Sequence, residues 1–169
     1  MKYKLEEILD YEQPSKYIVH STQYSDEYSL PVLTAGKSFI LGYTNETDGI
    51  CEASKEPVII FDDFTGDTKY VDFDFKVKSS AMKILRVKNK TDSLRYIYFA
   101  MQNINFKPFS HKRLWLSEYS KLEINKGSKE EQEKIVSTLD DITKAIENRK
   151  TQIEYLQKLL HQKILEEIS

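Results

Sequence analysis

"SKEEQEKIVSTLDDITKAIENRKTQIEYLQKLLHQKILEEIS", residues 128–169, holds no glycine or proline, and its apolar residues recur at Ile135, Leu139, Ile142, Ile146, Ile153, Leu156 and Leu160. Alternating steps of four and three place all seven on heptad a and d positions, the seam of a coiled coil. Arg149 falls on the same seam and interrupts it, and Lys163 and Glu167 take over its last two positions. Ser128 and Glu131 form a capping box in which each side chain satisfies the other's backbone N–H, and Glu130 and Glu131 complement the positive end of a helix. At 1.5 Å per residue the helix would run about 60 Å, farther than a domain built from the remaining residues extends. A terminal helix lying wholly on its own core fits that length poorly, so the stripe calls for a second long helix, from another copy or another protein.

The first 127 residues have a different texture. A short helix is expected over Lys4 to Asp10, then apolar segments around Tyr17 to Val19, Leu30 to Leu33, Ser38 to Tyr43, Val58 to Phe61, Tyr70 to Phe75 and Met82 to Val87. Turn signals such as "TAGK", "TDG" and "TGD" separate them. "DSLRYIYFAMQNI", residues 92–104, predicts a helix capped by Thr91 or Asp92. Leu122 and Ile124 precede "NKGS", a hinge into the long helix. The fold class is therefore α+β, with a strand-rich mixed domain over 1–127 and a single long C-terminal coiled-coil helix over 128–169.

Charged residues make up 31%, apolar residues 40% and aromatics 12% of the 169 residues, a globular and not a disordered composition. No apolar run is long enough to span a bilayer and the N-terminus lacks a signal-peptide core, so the chain reads as cytoplasmic. Cys51, the single cysteine, has no partner for an internal disulfide and reads as a small buried hydrophobe. The net charge of −2 conceals local asymmetry. Lys76, Lys78, Lys83, Arg86, Lys88 and Lys90 follow one another with no acid among them, and Lys107, His111, Lys112 and Arg113 form a second basic cluster.

Signals for catalysis are weak. Gly36-Lys37-Ser38 resembles the end of a phosphate-binding loop, but Pro31 stands where the pattern needs its first glycine, and a strand-like run replaces the helix that should follow. Asp62, Asp63 and Asp67 share the turn "FDDFTGD", whose spacing departs from the Ca²⁺ loop template; acidic turns more often serve the backbone than a metal. His20, His111 and His161 are scattered, and no nucleophile elbow is present. The sequence points to no catalysis by this chain, no metal site and no cofactor of its own.

Ingredients for DNA binding are better represented. Lys/Arg neutralise phosphates and set salt dependence, while short polar side chains on loops reach base edges. Thr34, Lys37 and Ser38 share one turn; Tyr43, Thr44 and Asn45 exit the next strand. "KVKSS" offers Lys76, Lys78, Ser79 and Ser80. Lys37, Lys76, Lys78, Lys112 and Arg113 are the candidate phosphate contacts; Thr34, Tyr43, Thr44, Asn45, Ser79 and Ser80 are the candidates for bases or phosphates.

"PVLTAGKSFILGYTNE" together with "PVIIFDDFTGDTKYVDFDFKVKSSAMKIL" resembles a target recognition domain of Type I restriction-modification specificity (S) subunits, and "EEQEKIVSTLDDITKAIENRKTQIEYLQKLL" resembles the helix that follows such domains. Glu131, Gln132 and Ile135 match the E-Q-x-x-I opening of that helix, while "EINKGS" replaces the usual proline-rich lead-in. The resemblance implies a non-catalytic subunit that recognises double-stranded DNA. Family members hold two recognition domains and two antiparallel helices, so one of each implies a half-subunit. Two copies joined along Ile135, Leu139, Ile142, Ile146, Arg149, Ile153, Leu156 and Leu160 would rebuild the whole as a homodimer, reading an interrupted palindrome. It further implies a methyltransferase (M) subunit and a restriction (R) subunit as partners, which would bring S-adenosylmethionine, ATP and magnesium. Two other readings remain open, a scaffold or decoy that pairs with full specificity subunits, and a metal-dependent nuclease built on Asp62, Asp63 and Asp67.

Overall fold

The computed structural model describes residues 1–35, 38–107 and 113–168. Its elements run β1 (Lys2–Lys4), α1 (Leu5–Ile8), β2 (Leu9–Glu12), a 3₁₀ turn at Pro14–Tyr17, β3 (Leu30–Leu33), β4 (Ile40–Thr44), β5 (Val58–Asp62), β6 (Thr68–Val71), β7 (Lys76–Val77), β8 (Met82–Val87), α2 (Leu94–Gln102), α3 (Leu114–Ser117), β9 (Glu123–Asn125) and α4 (Lys129–Ile168). A four-stranded antiparallel sheet has the order β2-β8-β5-β6. A three-stranded sheet, β4-β3-β7, pairs β3 with β4 antiparallel and with β7 parallel. β1 and β9 form a two-stranded ribbon that brings the chain start beside the foot of α4.

β5 explains why the domain has two cores. Successive strand residues point to opposite faces; Val58 and Ile60 face the three-stranded sheet, while Ile59 and Phe61 face α1, α2 and α3. All four side chains are buried, each stabilising by about 1.5–3 kcal/mol, which is why "VIIF" is a continuous apolar run without alternation. On the helical side Phe61 meets Trp115 and Tyr119 at centroid separations of 5.2 and 4.7 Å. On the other side Cys51 packs among Val58, Phe75 and Met82, and burial pushes its thiol pKa up, as an inert core residue requires.

Two local expectations are corrected. The stretch Lys4 to Asp10 is not one helix: only Leu5–Ile8 is helical, and Leu9–Glu12 is a strand because it pairs with β8 from Leu9↔Val87 to Glu12↔Ile84. The cap of α2 is Ser93, whose Oγ accepts from the Tyr96 N–H at 3.2 Å; the Asp92 carboxylate is instead held by Lys126 Nζ at 2.6 Å.

α4 begins with the expected capping box. The Ser128 N–H donates to Glu131 Oε2 at 2.7 Å, and the Glu131 N–H donates to Ser128 Oγ at 3.3 Å. That backbone donation holds the Glu131 carboxyl below its usual pKa. Ser128→Ala should cost about 1 kcal/mol, read as a lower urea midpoint with unchanged far-UV helix signal. Among the described residues the foot of α4 packs on the domain, with Gln132, Val136 and Asp140 among its contacts. Beyond it the seam is bare: Ile146 is 51% exposed, Ile153 54% and Leu160 62%.

Candidate nucleic-acid interface

Four turns distant in sequence meet along one rim of the domain. The Thr34 N–H donates to the Phe39 carbonyl at 3.0 Å where β3 turns into β4, and the Lys78 N–H donates to the Leu33 carbonyl at 2.9 Å, seating the β7–β8 turn beside it. The Asp63 N–H donates to the Ala81 carbonyl at 3.2 Å, and the Leu114 N–H donates to the Asp63 carbonyl at 2.9 Å, which adds the "FDDFTGD" turn and the start of α3. Thr34, Lys78, Ser79, Ser80 and Arg113 therefore share one edge. Lys78, Ser79 and Arg113 are exposed there, and Ser80 is half-buried. Lys37 and Lys112 lie outside the described residues.

Tyr43, Thr44 and Asn45 do not join them. Ile40 pairs with Leu33 beside the rim, whereas Thr44 pairs with Leu30 at the other end of the hairpin, about 13 Å away at strand rise. Asn45 is exposed and Tyr43 half-buried, but Thr44 is buried with its Oγ1 accepting the Glu46 N–H at 3.3 Å. The larger correction concerns Lys76, which is 0% exposed. Its Nζ lies 2.7 Å from Glu46 Oε2 and donates to the Asp48 carbonyl at 2.7 Å, so the ammonium is committed to closing the 44–49 loop and is sealed from a phosphate. Burial alone would push the Glu46 carboxyl up, but Lys76 and the N–H groups of Ser21 and His20 outweigh it and hold the pKa down.

The acidic turn is a backbone device. Asp62 Oδ1 accepts from the N–H groups of Phe64 at 2.8 Å and Thr65 at 3.2 Å, and Gly66 closes the turn at φ 81°, where glycine is favoured. Asp63 is fully buried: Oδ1 accepts from the Trp115 N–H at 2.9 Å, and Lys83 Nζ stands 2.9 Å from Oδ2 in a charge contact that is not aligned as a hydrogen bond. Two of the three aspartates named for a nuclease thus serve the fold. Among the described residues the one group with metal-ligand spacing is His20, Glu46 and Asp48, where the Lys76 ammonium already occupies Glu46. The turn reaches the rim all the same, carrying exposed Phe64 and Thr65 next to Arg113. Its chemistry was visible in the sequence; its place was not, since Asp63 and Leu114 are joined only by tertiary contact.

A second surface follows the rod. Ile135, Ile142, Ile146, Arg149, Ile153, Leu156 and Leu160 are exposed and Leu139 half-buried. Arg149 Nη1 reaches Gln152 Oε1 on its own helix at 3.0 Å. At the foot, Ile135 and Leu139 form one wall of a groove of about 510 Å³ whose other walls include Tyr96, Phe99 and Ala100 of α2. The seam thus runs on into an open cleft beside the domain.

The profile of a family described as the Type I restriction modification DNA specificity domain matches residues 1–158. The chain is 50% identical over 147 residues to the Type I restriction enzyme EcoR124I/EcoR124II specificity subunit of Escherichia coli, a match covering 85% of this chain and 36% of that protein. The chain therefore spans about a third of the length of that curated relative. Its fold resembles the Type I restriction-modification system S subunit from M. genitalium, with a TM-score of 0.66 at 17% identity over 88% of this chain and 40% of that one. A structure describing complex assembly and conformational transition of the type I R-M system matches with a TM-score of 0.58 at 14% identity, over 86% of this chain and 38% of that one.

Proposed function

The chain belongs to the Type I restriction modification DNA specificity domain family, and from that premise we propose that residues 1–127 read one half of a two-part target in double-stranded DNA while residues 128–169 pair with a second copy and hold two such domains apart. The observation that carries this reading is a rim of exposed cationic and hydroxyl side chains on one end of the domain combined with a bare apolar seam on the rod. The rim supplies Lys78 and Arg113 for phosphates and Thr34, Ser79 and Ser80 for bases or phosphates, and Lys37 and Lys112 extend it in sequence. Tyr43, Thr44 and Asn45 sit too far along the hairpin to share a single docking edge with these, and of the three only Asn45 is freely exposed.

The seam pattern favours an antiparallel pair. Two bulky domains at the N-terminal ends of parallel rods would compete for the same space, whereas antiparallel rods put them at opposite ends. In an antiparallel coiled coil a positions face d positions, so Ile135 meets Leu160 of the second copy, Leu139 meets Leu156, Ile142 meets Ile153 and Ile146 meets Arg149. Every seam position between 135 and 160 is then used. The layers beside the two-fold axis carry the arginines, which sets register, and the second copy's Leu160 lies at the mouth of the α2 groove beside Ile135. A two-fold dimer reads an inverted repeat separated by a gap.

Methyl transfer and cleavage fall to partner M and R subunits, which bring S-adenosylmethionine, ATP and magnesium; this chain supplies the address. Phosphate contact and core structure separate experimentally at two lysines two residues apart, Lys76 and Lys78. Lys78→Ala should reduce the slope of log affinity against log salt by about 1 per chain and leave thermal stability unchanged. Lys76→Met should leave the slope unchanged and cost about 3 kcal/mol of stability by breaking a buried pair. Fluorescence anisotropy across a salt series and thermal melts check both, and binding that is indifferent to salt overturns the DNA reading. A non-reading scaffold would dimerise and leave no footprint.

A further inference from the structure

We infer that Arg95 is a positioning residue, a latch that fixes the direction of α4 relative to the reading domain and so sets which gap between half-sites is accepted. The inference rests on the DNA-reading function proposed above for its consequence, but its geometry is independent of it. Arg95 stands on α2, and its Nε and Nη2 both reach Asp140 Oδ1 of α4, at 2.7 and 2.6 Å. The guanidinium is held in an aromatic setting, with Cζ 4.3 Å from the Tyr70 ring centroid, 5.0 Å from Phe99 and 5.7 Å from Tyr98. Planar Arg is suited to such stacking where Lys is not. Because the rings fix the guanidinium before it meets its partner, little side-chain entropy is lost in forming the contact, unlike the ordinary surface ion pair.

Position along the rod gives the contact its leverage. Eight residues earlier, Gln132 accepts the Ser93 N–H at 3.2 Å through Oε1 and donates to the Gly127 carbonyl at 3.0 Å through Nε2. Gln132 alone would be a pivot. Asp140 is about 12 Å farther along, and two tethers at that separation define a direction where one does not. Val136, packed against the helical core between them, fills the span without directing it. The proposed two-fold axis lies about 23 Å from Gln132; a tilt of about 10° there displaces the axis by about 4 Å, comparable to the 3.4 Å rise of one base pair. A loosened latch therefore blurs the gap by about one base pair on each side.

Arg95→Ala and Asp140→Ala test this in the full chain. Asp140 is half-buried on α4 and outside both apolar cores, so its loss leaves the fold of the domain intact even if the loss of Arg95 disturbs the aromatic cluster. Spin labels at Lys69→Cys and Lys150→Cys, in chains diluted into excess unlabelled protein, report the domain-to-rod distance by double electron–electron resonance; Cys51 is fully buried and escapes labelling. The expected result is a narrow distribution in the parent, one at least twice as wide in each single variant, an unchanged near-UV spectrum, and a narrow distribution regained in Arg95→Asp with Asp140→Arg. Distributions equally narrow in parent and both single variants overturn the latch, as does a charge exchange that restores nothing. Duplex pools with varied gaps then read the consequence, one gap for the parent and neighbouring gaps tolerated by the variants. A parent that selects no two-part site refutes the DNA reading, while the distance measurement still decides the latch.

Discussion

Ile146→Glu with Ile153→Glu should convert the proposed dimer into a 19.9 kDa monomer and lower affinity for a two-part duplex by about 100-fold or more, with affinity for an isolated half-site unchanged. Both side chains are more than half exposed on the single chain and lie beyond the part of α4 that touches the domain, so the substitutions remove nothing from its own fold. In the antiparallel register they place carboxylates in four of the eight layers, two facing Arg149, which offsets part of their cost, and two facing Ile142, where a buried charge meets no partner. The loss in DNA binding arises because the second half-site is engaged at the effective concentration set by the rod, and that term vanishes when the rod is unpaired. Sedimentation equilibrium gives the mass and anisotropy on whole and half duplexes gives the affinity. A double variant that stays dimeric, or one that becomes monomeric and binds the whole site as before, contradicts the proposed role of the paired rods in holding two reading domains apart.

Asp63→Ala carries the largest expected effect on stability, about 3–5 kcal/mol, which for a chain of this size lowers the melting point by about 10 °C or more. The carboxylate is fully buried, accepts the Trp115 N–H, neutralises Lys83, itself 1% exposed, and stands 3.9 Å from Arg113 Nη1. Removing it strands a buried ammonium and an unsatisfied backbone donor at the base of α3. Asp63→Asn keeps an acceptor for Trp115 and should lose less. Asp63→Ala with Lys83→Met removes the stranded charge and should recover part of the loss. If Asp63→Ala instead melts as the parent does, Lys83 reaches solvent and the buried-pair account is wrong. Because the same turn forms part of the rim, a partially folded Asp63 variant should also bind DNA more weakly without any change in its salt slope.

These outcomes divide along the line between local and tertiary information. α4 was legible because its determinants are neighbours: Ser128 and Glu131 are three residues apart, and the heptad repeat records a single face. "VIIF" was legible as an apolar segment for the same reason, although the burial of both its faces appears only in the packed domain. Lys76 and Lys78 look equivalent in "KVKSS", and strand alternation alone would put both on one face; they differ because β7 ends at Val77, leaving Lys78 in the exposed turn, and because the partner that buries Lys76 is Glu46, thirty residues earlier. Asp63 and Lys83 are likewise joined across β5 and β8. The N-cap of α2 went to Ser93 over Asp92 because Lys126 holds the latter, a contact no local pattern encodes. Thr34, Lys78, Ser79 and Arg113 were each identified as polar loop residues, but that they lie on one rim depends on backbone bonds between turns far apart in sequence.

The most direct test of the whole account is selection from a pool of random double-stranded DNA by the chain together with its methyltransferase partner, followed by sequencing of the bound fraction. A two-part consensus in inverted repeat with one fixed gap is expected. Recovery of a single uninterrupted motif, or of no consensus at all, would contradict it.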